Sequence, residues 1–245
     1  MPVNQELSRM SLGRPRPTHA IPKSVLNKIE FGFPEKNIFD CSNGVIGKWR
    51  RSRWINIESD IHDVQCRQVL CALYENDVLI GALQATETRN AHHVKNSLSN
   101  YMFWCDAVSE EYLHHAEAVS AGLKRFFRGR HHIKPRESFL EICTLFILPA
   151  MKGRLIWVDA INQFVKKLYE SDKDCSLLIL KTLPLEYVNF KPTEPGRAYP
   201  LRDRRIDALC KLYEDKLGVV KISDRHWTET WMGKKIAHKK GKQNG

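Results

Sequence analysis

Phe146-Ile147-Leu148-Pro149-Ala150-Met151-Lys152-Gly153-Arg154 is the stretch on which the fold turns. Its first residues finish an apolar run, residues 139–148, that is hydrophobic on both alternating faces. That pattern belongs to a central strand buried on both sides. Pro149 stops the run because it has no N–H for a ladder. Gly153 stands between two cations, Lys152 and Arg154, where a tight turn is needed. Beyond it Trp157, Ile161, Phe164 and Leu168 recur at helical spacing. A buried strand therefore runs through a short cationic loop into an amphipathic helix.

Working outward, residues 69–74 and 78–83 read as a hairpin turning at residues 75–77. Residues 109–127 carry Tyr112, Ala116, Val119 and Leu123 on one helical face. A basic loop, residues 125–134, separates that helix from the central strand. Residues 175–180 form a second buried strand, and residues 203–217 a helix with Ile206, Leu209, Cys210 and Tyr213 on one side. Short strands around 219–222 and 227–232 close the domain. The expected fold is mixed α/β, with a mainly antiparallel central sheet flanked by helices. The expected boundaries are an extended basic arm over residues 1–35, the domain over 36–233 and a basic tail over 234–245.

The strand, loop and helix around residues 146–154 resemble the GNAT (GCN5-related N-acetyltransferase) superfamily, where a central strand ends in Pro before an Arg/Lys-Gly turn. Residues 208–219, with Tyr213 and then Leu217-Gly218, look like that family's late helix and the approach to its last strands. The hairpin ending in Ile80-Gly81-Ala82 looks like its early strand pair, so the resemblance spans residues 66–233. It implies an acyltransferase that uses acetyl-CoA and acylates an amine by direct transfer. It assigns cofactor binding to Phe146, Ile147, Leu148, Lys152, Gly153, Arg154 and Leu155. The physical basis is a helix N-terminus, whose free N–H groups and dipole attract a pyrophosphate.

The family writes the loop as Gln/Arg-x-x-Gly-x-Gly/Ala. Counted from Lys152, its two small positions fall here on Leu155 and Trp157, which departs from the pattern. The resemblance makes Glu141 the general base and Tyr213 the acid that protonates the leaving thiolate. Burial within the strand would suit Glu141 to base chemistry, although a Glu paired with Arg or Lys at the sheet surface fits the sequence equally. Tyr213 lies one residue further from Gly218 than the family's spacing, and its apolar neighbours also suit a core tyrosine.

The totals bear on partners. Thirty-nine Lys and Arg against 28 Asp and Glu give a net charge of +11, which favours a polyanionic partner such as DNA or tRNA. Two basic stretches could meet it: Arg14 and Arg16 within Gly13-Arg14-Pro15-Arg16-Pro17, and Lys48, Arg50, Arg51 and Arg53, interleaved with Trp49 and Trp54. The second stretch suits somewhat better a surface strand whose tryptophans pack inward. A GNAT-like protein of the branch that includes phage DNA-modification proteins of the Mom type, or a binding protein without catalysis, are the alternatives these features leave. No run is apolar enough to span a membrane and no leader pattern opens the sequence, so a cytoplasmic protein is expected. The seven cysteines are scattered without a C-x-x-C pair and read as small hydrophobes. The histidine pairs 92–93, 114–115 and 131–132 lack metal-ligand spacing and read as solvated side chains.

Overall fold

The computed structural model describes residues 21–91, 95–151, 153–182, 200–225 and 229–236. Arg14, Arg16, Lys152 and the basic C-terminal tail lie outside them. The strands are β1 (Ile38–Asp40), β2 (Val45–Arg51), β3 (Ile55–Glu58), β4 (Ile61–Glu75), β5 (Val78–Asn90), β6 (Asn96–Ser97), β7 (His132–Ile133), β8 (Ser138–Ile147), β9 (Cys175–Thr182), β10 (Val220–Arg225) and β11 (Glu229–Lys235). The helices are α1 (Lys23–Glu30), α2 (Leu98–Val108), α3 (Glu110–Phe126), α4 (Ile156–Ser171) and α5 (Pro200–Leu217).

The main sheet runs β1-β2-β4-β5-β8-β9-β11-β10, with β3 also paired to β4, while β6 and β7 form a separate pair. Within the main sheet every pairing is antiparallel except β8 with β9. The parallel pair follows from the connection: α4 carries the chain from the end of β8 back to the start of β9. The expected α/β class with a mainly antiparallel, helix-flanked sheet is the one observed.

Strand alternation sorts the core into two layers. On one face Leu140, Ile142, Leu178 and Leu180 pack with Ile161, Phe164 and Leu168 of α4, and Tyr213 and Cys210 of α5 lie against them. On the other face Phe139, Leu177 and Ile179 pack under Tyr101, Ala116, Val119 and Leu123 of α2 and α3. Gly122 makes the second layer tight, because a Cβ there would lie 2.7 Å from Leu177 Cδ2. Serine caps fix both helices: Ser97 Oγ accepts from the Asn100 N–H at 3.0 Å, and Ser109 Oγ from the Tyr112 N–H at 3.3 Å. Glu110 and Glu111 in the first turn of α3, with Lys124 and Arg125 in its last, complement the helix dipole.

Several elements differ from the sequence reading. The hairpin turns through Asn76 and Asp77, both at positive φ (50° and 62°), the two-residue turn that suits strand twist. Its arms run on to residues 61 and 90, beyond the apolar stretch, because the polar part is buried in pairs. Part of the stretch expected to be an extended arm is instead α1, whose Val25 is buried on Leu70 and Ala82 beside Phe146 and Leu148. Cys66, Cys71, Cys105 and Cys175 are buried thiols as expected, whereas Cys143 is exposed.

Candidate active site

The parallel pair is short. β8 and β9 register from Ser138 opposite Cys175 to Ile142 opposite Leu180, and there their pairing stops. β9 continues to Thr182 along β11, with Thr182 opposite Thr230. β8 continues along β5, from Thr144 opposite Gln84 to Ile147 opposite Gly81. The parting coincides with a bulge: Ala85 faces Ile142 and Gln84 faces Thr144, so Cys143 has no partner on β5. An extra residue bends and twists its strand, which turns the end of β8 away from its neighbour. The Leu148 N–H donates to the Ile80 carbonyl at 2.9 Å. Alternation then points the peptide groups of Ile147 and Leu145 to the other edge, where no strand among the described residues pairs with them.

The loop after β8 carries this divergence to the start of α4. Gly153 has φ +86°, and a Cβ there would meet nothing within 4 Å. Leu155 occupies the N-cap position of α4 with φ 53°. A left-handed leucine costs about 1 kcal/mol or more, since its Cβ crowds the following carbonyl. The backbone shape suited to glycine is therefore present at a position the family writes as small, with a half-exposed leucine side chain on it. Trp157 is turned into the helix layer, where its ring meets Tyr213 edge-on at 5.8 Å and 70°. Its bulk lies against α5, and its backbone N–H remains in the first turn of α4.

Arg154 is engaged elsewhere. It forms a bidentate pair with Glu75 at the end of β4, at 2.6 and 3.1 Å, and this bond holds the Glu75 carboxyl below its usual range. An anion placed at this helix start would therefore meet backbone N–H groups before it met a free Arg154 guanidinium. Asp159, in the first turn of α4, accepts from the N–H and Oγ of Ser42, the latter at 2.7 Å, and ties the helix to the β1–β2 connection.

Glu141 lies one residue before the last paired position of β8 and is largely buried. Its Oε2 is 2.7 Å from His115 Nδ1. His115 Nε2 is 2.7 Å from Thr88 Oγ1, which accepts a further bond from the Tyr101 hydroxyl at 2.9 Å. Thr88 and Tyr101 are fully buried, and His115 is 3% exposed. The expectation of solvated histidines fails for His115, because the α3 stripe that packs on the sheet includes it. His115 stands three residues after Tyr112 and four before Val119, so the periodicity held the signal.

Tyr213 comes from the opposite layer. Three residues before it, α5 is pinned to the end of β9 by Cys210, whose Sγ is 3.5 Å from Thr182 Oγ1. Burial, followed by the nearby Cys210, pushes the Tyr213 phenol above its usual range. Its hydroxyl makes no hydrogen bond among the described residues. Cys143 at the bulge has its sulfur beside Thr86, Sγ to Oγ1 3.4 Å. Although the residue as a whole is exposed, its sulfur is desolvated, and that, then the charges of Glu141 and others, push its thiol up to about 12. It stays protonated at neutral pH and is a poor nucleophile.

Glu141, Phe146 and Ile147 thus lie on β8, Leu148, Gly153, Arg154 and Leu155 between it and α4, and Tyr213 on α5 in the layer opposite His115. Phe146 and Leu148 turn toward α1, and Ile147 toward the α4 layer. The cations of β2 are elsewhere, separated from β8 by β4 and β5. Arg50 bonds to the Lys28 and Gly32 carbonyls, Arg51 bonds to the Leu168 carbonyl, and Lys48 lies 4.9 Å from the Tyr74 ring centre. Trp49 packs inward edge-on to Phe164 at 6.4 Å. Arg53 is exposed. Among the described residues no group of three His, Cys, Asp or Glu side chains could hold a metal ion, and no helix is long and apolar enough to cross a membrane.

No family model matches the chain, and no curated protein matches it. Among solved structures it is similar to the GNAT domain of PAT from S. lividans, at 10% identity and TM-score 0.37 over 84% of this chain and 100% of that one. It is similar to a Drosophila melanogaster polyamine N-acetyltransferase that forms N-acetylagmatine, at 11% identity and TM-score 0.33 over 68% and 74%. A mosquito arylalkylamine N-acetyltransferase-like protein, 5b, gives 11% identity and TM-score 0.35 over 68% and 74%. Likeness this distant carries no argument about chemistry, which has to come from the site itself.

Proposed function

We propose that the chain is an acyltransferase that takes an acetyl group from acetyl-CoA and places it on a primary amine. The observation that carries this reading is the parting of β8 from β9 at a bulge, with a buried carboxylate just before it and a helix-start loop just after it. A thioester substrate with a long pantetheine arm and a pyrophosphate suits that arrangement. The peptide groups of Leu145 and Ile147, unpaired among the described residues, can bond its amides, and the N–H groups of Gly153, Leu155, Ile156 and Trp157 can face its phosphates. When bound, acetyl-CoA supplies an acyl carbon activated by a thiol leaving group.

The chain's own residues then have distinct tasks. Glu141 takes a proton from the acceptor ammonium through its free oxygen. Tyr213, which enters as a phenol, gives a proton to the departing sulfur. An ammonium sheds two protons on becoming an amide. One passes through Glu141 to solvent and the other replaces the proton lost by Tyr213, while the C–N bond forms and the C–S bond breaks. Cys143 has no covalent part, since a thiol raised to about 12 offers almost no thiolate at neutral pH. That supports direct transfer. Glu111 and Glu141 both act electrostatically on Cys143, so the bulge carries negative potential and favours a cationic amine. The same two carboxylates disfavour a phosphate-bearing acceptor there, and Arg50 and Arg51 are committed to bonds within the chain.

Incubation with acetyl-CoA and a simple diamine, read by mass spectrometry, tests the reading. The expected product is the diamine heavier by one acetyl group, with an equivalent of free CoA thiol. Absence of product from a range of cationic amines, under conditions where the protein binds acetyl-CoA, would overturn the choice of acceptor.

A further inference from the structure

The side chains behind Glu141 form a chain of bonds whose direction can be worked out proton by proton. The Tyr101 hydroxyl donates to Thr88 Oγ1 at 2.9 Å. Thr88 has a single hydroxyl proton, and its Oγ1 lies 2.7 Å from His115 Nε2. With that proton directed to His115, Nε2 is the acceptor and the ring N–H lies on Nδ1. That N–H points at Glu141 Oε2, 2.7 Å away. Every group in the series then has a partner.

The series is not a route for protons to solvent. It ends at Tyr101 and the neighbouring Cys105, both fully buried, and burial holds the Tyr101 phenol well above the usual range. Tyr101 is itself fixed edge-on to Phe139 of β8, ring centres 5.9 Å apart at 76°. A chain with a closed end sets geometry. It occupies Oε2 and leaves Glu141 Oε1 with no hydrogen bond among the described residues.

We infer that His115 is the positioning residue of this site: Tyr101 and Thr88 hold it as the Nδ1–H tautomer, and its bond to Oε2 orients Glu141 so that Oε1 meets the acceptor. The inference rests on the acyl-transfer reading of Glu141. It adds three residues to that reading, none of which touches substrate, and it makes the tautomer the functional variable.

Two measurements test it. In protein labelled with nitrogen-15 histidine at neutral pH, the His115 ring signals, assigned by their loss in His115→Asn, should show a protonated Nδ1 and a bare Nε2. Protonation on Nε2 instead would overturn the inference without any assay of activity. The second uses isosteres. An Asn amide nitrogen falls near the position of Nδ1, whereas a Gln amide reaches the position of Nε2. His115→Asn should keep kcat for acetyl transfer within about tenfold, while His115→Gln should lose about 100-fold, the scale of a misplaced reacting group. KM for acetyl-CoA should be unchanged in both. Equal losses in the two variants, with matched melting temperatures, would reduce His115 to a packing role. If the wild-type chain transfers no acetyl group, the acyl-transfer reading falls and takes this role with it, even with the tautomer as stated.

Discussion

Glu141→Gln should lower kcat for acetyl transfer by about 10²- to 10⁴-fold, the range general-base groups contribute. The substitution is nearly isosteric, and its amide oxygen can still accept from His115 Nδ1, so the fold and the buried series should survive. What it removes is the capacity of the free oxygen to take a proton. Binding of acetyl-CoA should be unaffected, because the proposed site assigns that substrate to the peptide edge of β8 and the start of α4. The comparison should be made near neutral pH and again above the acceptor's own pKa. There the amine arrives already deprotonated, and part of the loss should be recovered. A loss under tenfold at neutral pH would remove Glu141 from the chemistry and leave it a structural partner of His115.

Glu87→Ala should be the most destabilising single change outside the apolar core. Glu87 is fully buried and receives Arg67 Nε at 2.7 Å and Ser138 Oγ at 2.9 Å, with Arg51 Nε at 3.6 Å. Asp172, next to the end of α4, takes Arg67 Nη2 at 2.7 Å and Arg51 Nη1 at 3.7 Å. Two cations and two anions balance at the join of β4, β5, β8 and α4. Truncating Glu87 leaves two guanidinium groups sharing one carboxylate away from water, at a cost of about 3–5 kcal/mol. For a chain of this length the melting temperature should fall by about 6–20 °C, read by circular dichroism. A fall of less than a few degrees would mean that water replaces the lost carboxylate.

The two predictions fall on opposite sides of what the sequence disclosed. From residue 139 onward the fold was legible because each element carries an unambiguous apolar pattern: Phe139 to Leu148 buried on both sides, Trp157 to Leu168 on one helical face, Cys175 to Leu180 buried again. Glu141 stood out as the charge in the first of these. Before residue 100 only the apolar middle of the β4–β5 hairpin is legible, for a physical reason. β4 and β5 bury Arg67, Glu87, Thr88 and Asn90, and polar residues buried in pairs look like surface when read one at a time. β2 reads as a cationic stretch, although its arginines bond within the chain. α2 went unread ahead of Ser109, as did α1 within a stretch dominated by prolines further upstream.

The site was half legible. Of the proposed site, Glu141, Gly153 and Tyr213 could be picked out by residue type and order. The parting of β8 from β9 could not, because it depends on one unpaired residue, Cys143, in a register that only pairing defines. His115 lay within a helical stripe that was recognised, but its neighbour His114 made the pair look solvated. Leu155 looked like the loss of a glycine, yet the backbone keeps the left-handed turn that a glycine would favour.

The central claim is that the diverging ends of β8 and β9, with the start of α4, hold a CoA thioester. Thermal unfolding with and without acetyl-CoA tests this most directly, because a ligand that binds only the folded chain must stabilise it. At about 100 times its Kd the stabilisation is about 2.7 kcal/mol, which for this length is a rise of about 5–10 °C in Tm. Tm should rise by that amount with acetyl-CoA, and by the same amount in Glu141→Gln. An unchanged Tm at millimolar acetyl-CoA and CoA would contradict the claim.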